Sequence, residues 1–268
     1  MAIVLNEYEW AERMIADRSL GNRPTETLSR VAKYYYENKY SKREVRKFLD
    51  QFLMQCDPDA SLFMWSDTLD RIAKNAYKYP LVQIDGIPVT QSELSIIRTL
   101  KTERAQRLAF TLLCVSKYWD IISSNNNHWV NTSDSDIRKM ANVPVSSKTL
   151  DLIYGNLRDS ELIRFSRKID NLNVQVLFQD SDGAPAMLVK DFRNLGYQYS
   201  KYFGGPYFEC KNCGIVTKMN DHNKFKSRLP DPKHSGRGRK QQYCPSCAAA
   251  IKTQNNVNAV MRQRQAQA

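Results

Sequence analysis

Cys210-Lys-Asn-Cys213-Gly214 and Cys244-Pro-Ser-Cys247 are the two stretches on which the predicted fold of this 268-residue chain depends. Each is a Cys-x-x-Cys pair, and a polar, glycine-containing insert separates them. Two such pairs have the spacing of a four-thiolate zinc site, in which each pair supplies two corners of a tetrahedron. We therefore predict a zinc ribbon whose Zn²⁺ is held by Cys210, Cys213, Cys244 and Cys247. Four thiolates close the coordination shell, so the predicted role of the metal is structural.

Three other interpretations of these cysteines stay open from the sequence alone. Disulfides suit a secreted protein, but Glu7 and Glu9 fall where a signal peptide would be apolar. A thioredoxin-type motif needs a single pair at the start of a helix in a βαβ unit. An iron–sulfur cluster also uses four thiolates, although the symmetric spacing with a long insert is commoner for zinc. Because the cysteines are predicted to be thiolate ligands and the chain shows no signal-peptide pattern, we expect a reducing compartment, namely the cytoplasm.

The positive charge of the chain is concentrated around the cysteines. Residues 211–268 contain twelve Lys and Arg against two acidic residues, a net +10 of the whole-chain +12. This asymmetry is typical of a protein that binds a polyanion, most often nucleic acid. The insert holds the densest cluster, and there we predict phosphate contacts by Lys233, Arg237, Arg239 and Lys240. A solvated basic tail is the simpler alternative.

The first 88 residues show the apolar spacing of several helices. Ser41 with Glu44, and Thr90 with Glu93, are capping-box patterns that predict where two helices begin. In apolar pattern and caps, segments 23–32, 40–45, 52–58 and 65–76 resemble the small helical domain at the C-terminal side of the primase module in phage and plasmid primases. The resemblance implies a replication-associated setting. It implies no polymerising activity, because that family's catalytic domain lies upstream and only a short segment precedes the match here.

Residues 102–180 have the element order of a winged helix. A strongly apolar helix is followed by a short helix near 133–141, a turn at Val143-Pro144, a helix over 146–158 and two β-rich runs. This order resembles the winged-helix family, and the resemblance implies that helix 146–158 enters a major groove. The predicted DNA contacts are Lys148 and Arg158 on that helix and Arg167 and Lys168 at the wing. A winged helix that binds protein is the alternative.

Two Asp-x-Asp pairs, Asp134 with Asp136 and Asp180 with Asp182, raise the possibility of catalysis. Two carboxylates at this spacing on a strand can hold Mg²⁺ for phosphoryl or nucleotidyl transfer. The first pair, however, precedes a predicted helix, and the second precedes Gly183 in a predicted turn. We therefore predict that both pairs cap backbone N–H groups.

Together these patterns predict a mostly α protein with small β elements. The predicted domains are helical (1–88), winged helix (89–182), connector (183–206), zinc ribbon (207–253) and a polar basic tail (254–268). We expect a non-catalytic protein of a phage or mobile element that binds nucleic acid, double-stranded DNA in particular, in replication or transcription regulation. One alternative is an adaptor or inhibitor that binds a replication, transcription or host defence protein. Another is a metal-dependent nuclease or nucleotidyl transferase. No apolar run is long enough for a membrane span.

Overall fold

The computed structural model describes residues 3–166, 173–219 and 241–267. The described residues are mostly helical with small sheets, which confirms the predicted fold class. The chain divides into two compact units, Ala2–Ile87 and Pro88–Ala268, and each is considered by itself. Among the helices of the described ranges, none combines the length and the apolar character that crossing a bilayer requires.

The unit Ala2–Ile87 is built from helices. They are α1 (Glu7–Ala16), α2 (Pro24–Glu37), α3 (Lys42–Cys56), α4 (Leu62–Asn75) and a 3-10 turn (Ala76–Lys78). The predicted capping box of α3 is confirmed, because the Ser41 side chain accepts from the Glu44 N–H and Glu44 accepts from the Ser41 N–H. The core lies between α2, α3 and α4, where apolar residues recur at helical spacing. Its buried members include Leu28, Val31, Leu49, Leu53 and Leu69.

The unit Pro88–Ala268 combines helices with short strands. In chain order its elements are β1 (Ile87–Thr90), α5 (Gln91–Arg98), α6 (Glu103–Ile122), β2 (Trp129–Val130), α7 (Asp134–Ala141), α8 (Ser147–Asp159), β3 (Ile163–Phe165), β4 (Val174–Val176), β5 (Pro185–Val189), α9 (Leu195–Tyr202), β6 (Tyr207–Glu209), β7 (Val216–Lys218) and α10 (Pro245–Gln267). Helix α6 is the centre of this unit. It is buried on nearly all sides, as a helix without a polar face must be, and it packs against α5, α7, α8 and α9.

Three small sheets accompany α6. Strands β2, β4 and β3 form an antiparallel sheet in that order, with Val130 and Phe165 both opposite Val174. Strand β1 pairs with β5, and β6 pairs antiparallel with β7 in the cysteine-containing segment. The order of elements around the central sheet is therefore α6, β2, α7, α8, β3, β4.

The turn between α7 and α8 is fixed by local contacts. Asn142 ends α7 in the left-handed conformation, with φ of 53°, which asparagine tolerates better than most residues. The Arg138 guanidinium donates to the carbonyl of Val145 across the turn, at 2.7 Å. Ser146 then caps α8 by accepting from the Thr149 N–H. The angle between α7 and α8 is thus set by hydrogen bonds as well as by packing.

The predicted capping box at Thr90 and Glu93 is also confirmed, and its glutamate does more than cap. Glu93 is fully buried, and its carboxylate accepts the N–H of Thr90 and that of Asp180, each at 2.8 Å. The ammonium of Lys117, whose side chain is 11% exposed, lies 2.7 Å from the same carboxylate. The Glu93 carboxylate therefore links α5, α6 and the chain before β5. Its oxygen atoms have hydrogen-bond and ion-pair partners, which a buried carboxylate requires.

We expect Glu93→Ala to destabilise the unit Pro88–Ala268 by about 3–5 kcal/mol, because it leaves the largely buried Lys117 ammonium without its partner. Glu44→Ala removes the equivalent glutamate of the exposed capping box in α3 and is the matched control, with a much smaller expected effect. Native-state hydrogen exchange of the α6 amides and the α3 amides measures the two losses separately. An equal loss of stability in the two variants would show that the burial of Glu93 is unimportant.

Candidate metal centre

The four predicted zinc ligands come together in the folded chain. The Sγ atoms of Cys210, Cys213, Cys244 and Cys247 all lie within 4.8 Å of one another, and the Cys213 and Cys244 sulfurs are 3.8 Å apart. A tetrahedral site with Zn–S bonds of about 2.3 Å separates its sulfurs by about 3.8 Å. A disulfide bond is about 2.0 Å long, so this spacing fits shared coordination and not a disulfide. The four cysteines are thus positioned to hold a metal ion.

The first pair is shaped by a tight turn after β6. The Gly214 N–H donates to the carbonyl of Cys210, and Gly214 has a φ of 71°, a conformation that L side chains rarely adopt. The second pair is placed by α10, whose first residue, Pro245, follows Cys244 directly. The Lys211 N–H donates to the carbonyl of Gln242, which ties the two pairs together.

Hydrogen bonds to sulfur prepare the cluster for negative charge. The Cys244 N–H lies 3.3 Å from the Cys210 sulfur, and the Asn212 side-chain amide lies 3.3 Å from the Cys247 sulfur. Burial by itself raises the pKa of the Cys210 thiol, but backbone N–H groups outweigh burial and lower this pKa to about 6. Burial and the neighbouring thiols instead raise the pKa of Cys213 to about 12. Because a metal ion is held by deprotonated thiols, binding one here would release the proton that Cys213 keeps.

Helix α9 and the residues before it hold the cysteine ribbon in place. The Arg193 guanidinium donates to the carbonyl of Cys213 at 2.7 Å, and the Asn194 side-chain amide donates to the carbonyl of Val216 at 2.9 Å. Farther along α9, Tyr197 stacks on Tyr207 of β6 with ring centroids 4.8 Å apart. The ribbon is therefore attached at its cysteine turn and along both of its strands.

The same residues connect the ribbon to the turn between α7 and α8. The Asn142 side-chain amide donates to the Asn194 side-chain oxygen at 2.9 Å, and Asn194 in turn reaches Val216. Gly196 allows the close approach, because a Cβ atom there would lie 1.8 Å from the backbone oxygen of Ala141. A continuous series of hydrogen bonds thus connects the α7–α8 turn to β7.

Arg107 supplies a second connection, from the central helix. Its guanidinium is buried, lies over the rings of Tyr197 and Tyr207 at 5.3 and 5.4 Å, and donates to the Tyr207 hydroxyl. It also donates to Ser200 of α9 at 2.9 Å. Neither Arg107 nor the two asparagines stood out in the sequence. Asn142, directly before Val143-Pro144, carried the only local signal, that of a helix end.

The predicted nucleic-acid contacts are only partly within the described residues. Lys148 is exposed in the first turn of α8, and Arg158 is exposed in its last turn, where it pairs with Asp159 at 2.8 Å. Arg167 and Lys168 lie outside the described residues. So do the predicted contacts of the insert, namely Lys233, Arg237, Arg239 and Lys240.

The two aspartate pairs have different roles, and the cap of α7 comes from another residue than predicted. Asp134 and Asp136 lie in the first turn of α7, but Ser133 caps the helix by accepting the Asp136 N–H at 3.2 Å, while Asp134 accepts from the Tyr154 hydroxyl at 2.9 Å. One Asp180 oxygen accepts the N–H groups of Asp182 and Gly183 in a turn. Among the described residues, one group of three or more potential metal ligands lies close together, and it consists of the four cysteines.

No protein-family model matches the sequence, and neither the curated proteins nor the solved structures contain a match to this chain.

We expect the purified protein to contain about one equivalent of a thiophilic metal ion, and Cys244→Ser to lose most of it, because three remaining thiolates leave the tetrahedron open. Elemental analysis measures both the amount and the identity of the metal. Cys56→Ser is the matched control, since Cys56 lies in α3 outside the cluster. Full metal content in Cys244→Ser, or equal loss in Cys56→Ser, would contradict the assignment.

Proposed function

We propose that this chain is a nucleic-acid-binding protein whose winged helix and zinc ribbon contact one DNA duplex. The observation that carries the proposal is the element order α6, β2, α7, α8, β3, β4 with the sheet order β2-β4-β3. This is the order of a winged helix, in which the helix at the position of α8 enters the major groove. Arg167 and Lys168, the predicted wing contacts, come between β3 and β4 in the chain and lie outside the described residues.

Zinc is the metal that the donor set favours. Four thiolates within 4.8 Å of one another are soft ligands in a closed, tetrahedral arrangement. Zinc bound there would hold the two cysteine pairs together. The described residues on either side of the basic insert would then stay close to the cysteine cluster.

Helix α8 and the ribbon differ in charge, and we infer different roles for them. Helix α8 has Lys148 and Arg158 against Asp151 and Asp159, so it is neutral and contributes little general attraction to phosphate. Its exposed Ser147, Lys148 and Asn156 are of the kind that hydrogen-bond to bases or phosphates. Residues 211–268, which comprise most of the ribbon and the tail after it, carry the net +10. The ribbon therefore supplies phosphate affinity, and α8 supplies orientation and any sequence preference.

The attachment of the ribbon to α9 favours simultaneous contact. Because Asn142, Asn194 and Val216 are linked by hydrogen bonds, the ribbon has a fixed position relative to the α7–α8 turn. Two contacts held on one rigid unit reinforce each other without the entropy cost of a flexible linker. With the primase-like pattern of the first helices, this supports a role in phage or mobile-element replication or transcription regulation.

A second candidate, a protein-binding adaptor or inhibitor, is favoured by one observation. Leu152 lies on α8 with 63% of its surface exposed, on a helix without net charge. An exposed leucine on a neutral helix suits a protein surface better than a phosphate backbone. The same fold would then present α8 to a replication, transcription or host defence protein.

We expect the metal-loaded protein to bind a short DNA duplex more tightly than single-stranded DNA or duplex RNA, with a steep salt dependence. Changing Arg237, Arg239 and Lys240 to alanine is expected to reduce the slope of log K against log salt by about 2.7, since each lost phosphate contact removes about 0.9. Fluorescence anisotropy across a salt series gives this slope.

The charge-matched control changes Arg13, Arg43 and Lys47, three exposed cations of the helical unit, to alanine. This control is expected to leave the duplex slope unchanged. Equal slopes for the two triple variants would contradict the proposed role of the insert. Absence of binding to every nucleic acid at moderate salt would favour the adaptor.

A further inference from the structure

A strongly basic cavity lies on the helical unit Ala2–Ile87, which the proposed function does not use. We call it the α3–α4 cavity; its volume is about 560 Å³. Its lining consists mostly of charged side chains from α3, α4 and the 3-10 turn: Lys42, Arg46, Asp70, Arg71, Lys74 and Lys78. Five cations and one carboxylate thus share one surface depression.

The clustering does not follow from the composition of this unit. Residues 2–87 contain 13 basic and 13 acidic residues, so the unit as a whole is neutral. Arg46 is the cation that is neutralised, because it pairs with Asp70 at 2.6 Å and with Asp50. The other cations of the lining, Lys42, Arg71, Lys74 and Lys78, are exposed and form no ion pair with any residue of the described ranges. Four like charges without counter-ions favour a polyanionic ligand.

Exposed aromatic rings accompany these cations. Tyr77 shares the 3-10 turn with Lys78 and keeps 63% of its surface exposed, and Tyr79, the residue after the turn, keeps 65%. The Tyr77 ring is held from one side by Tyr36, whose hydroxyl donates to the carbonyl of Ala73 in the cavity lining. Tyr77 and Tyr79 are not part of the lining, but they flank its Lys78 in the chain. Exposed rings and unpaired cations together bind single strands, because unpaired bases stack on the rings while the cations contact the phosphates.

We propose that the α3–α4 cavity binds single-stranded nucleic acid, with Lys42, Arg71, Lys74 and Lys78 on the phosphates and Tyr77 beneath a base. This site is separate from the α8 and ribbon surface and does not rest on the proposed function. If both bind, the chain contacts duplex DNA with one unit and an unpaired strand with the other. Such a pair of sites suits a place where a duplex has been opened.

The test measures binding of the full-length, metal-loaded chain to a 20-residue oligothymidylate, which has no stable base pairing, by anisotropy across a salt series. We expect the double variant Arg71→Gln and Lys74→Gln to reduce the salt slope by about 1.4 and to weaken binding about 25-fold at 0.1 M salt, from two lost contacts of about 0.7 each. The control is Arg43→Gln with Lys47→Gln, which removes the same charge from exposed positions of α3 outside the cavity lining.

A third variant distinguishes the contribution of base stacking from that of charge. Tyr77→Leu keeps an apolar side chain against Tyr36, and we expect it to weaken oligothymidylate binding at least about fivefold without changing the salt slope. Binding of a DNA duplex should stay unchanged. Full oligothymidylate affinity in Tyr77→Leu, or equal affinities for the cavity pair and the control pair, would overturn the proposal.

The same measurements in the Arg237, Arg239 and Lys240 to alanine background keep the two sites distinguishable. If the insert does not bind nucleic acid, this background leaves every affinity unchanged, and the difference between the cavity pair and the control pair persists. If the cavity does not bind, that difference is absent in both backgrounds, whatever the insert contributes.

Discussion

The hydrogen bond from the Asn194 side chain to the carbonyl of Val216 is the contact on which the position of the ribbon depends. Asn194 stands in the left-handed conformation just before α9, and its other side-chain atom accepts from Asn142 at the α7–α8 turn. Arg107 reinforces the same junction from the central helix, because its guanidinium lies within 5.4 Å of the ring centroids of both Tyr197 and Tyr207. A small ribbon, which has almost no core of its own, thereby acquires a fixed position on a packed helical body.

Two kinds of contact would stabilise the ribbon, namely a metal ion at the cysteine cluster and hydrogen bonds to the rest of the unit. The short strands β6 and β7 each bury one residue, Tyr207 and Val216. A metal ion bound at the cysteines would therefore add to the local stability, because binding free energy at such a site is folding free energy. The hydrogen bonds from Arg193 and Asn194 add orientation, which the metal alone does not provide. The described residues on both sides of the basic insert thereby belong to the same unit as α8, which is neutral. This separation of affinity from orientation is the physical basis of the proposed two-part contact.

The sequence predicted the features that depend on local chemistry. Helix starts at Ser41 and Thr90 followed from capping boxes, and the cysteine cluster followed from ligand spacing, because both patterns leave their signature within a few residues. The junction around Asn142, Asn194 and Gly196 was not predictable, since it joins residues more than fifty positions apart through side-chain contacts that no periodicity encodes. The α3–α4 cavity was missed for the same reason. Its cations are spread over 37 positions and become a cluster only when α3 packs on α4.

The central claim is that α8 and the ribbon contact the same duplex from one rigid unit. Hydrogen exchange of the metal-loaded chain, with and without a bound DNA duplex, tests it most directly. The account predicts that amides in the first turns of α8 and in β6 and β7 become protected together, at the same duplex concentration. Protection of the ribbon without α8, or of neither, would contradict it.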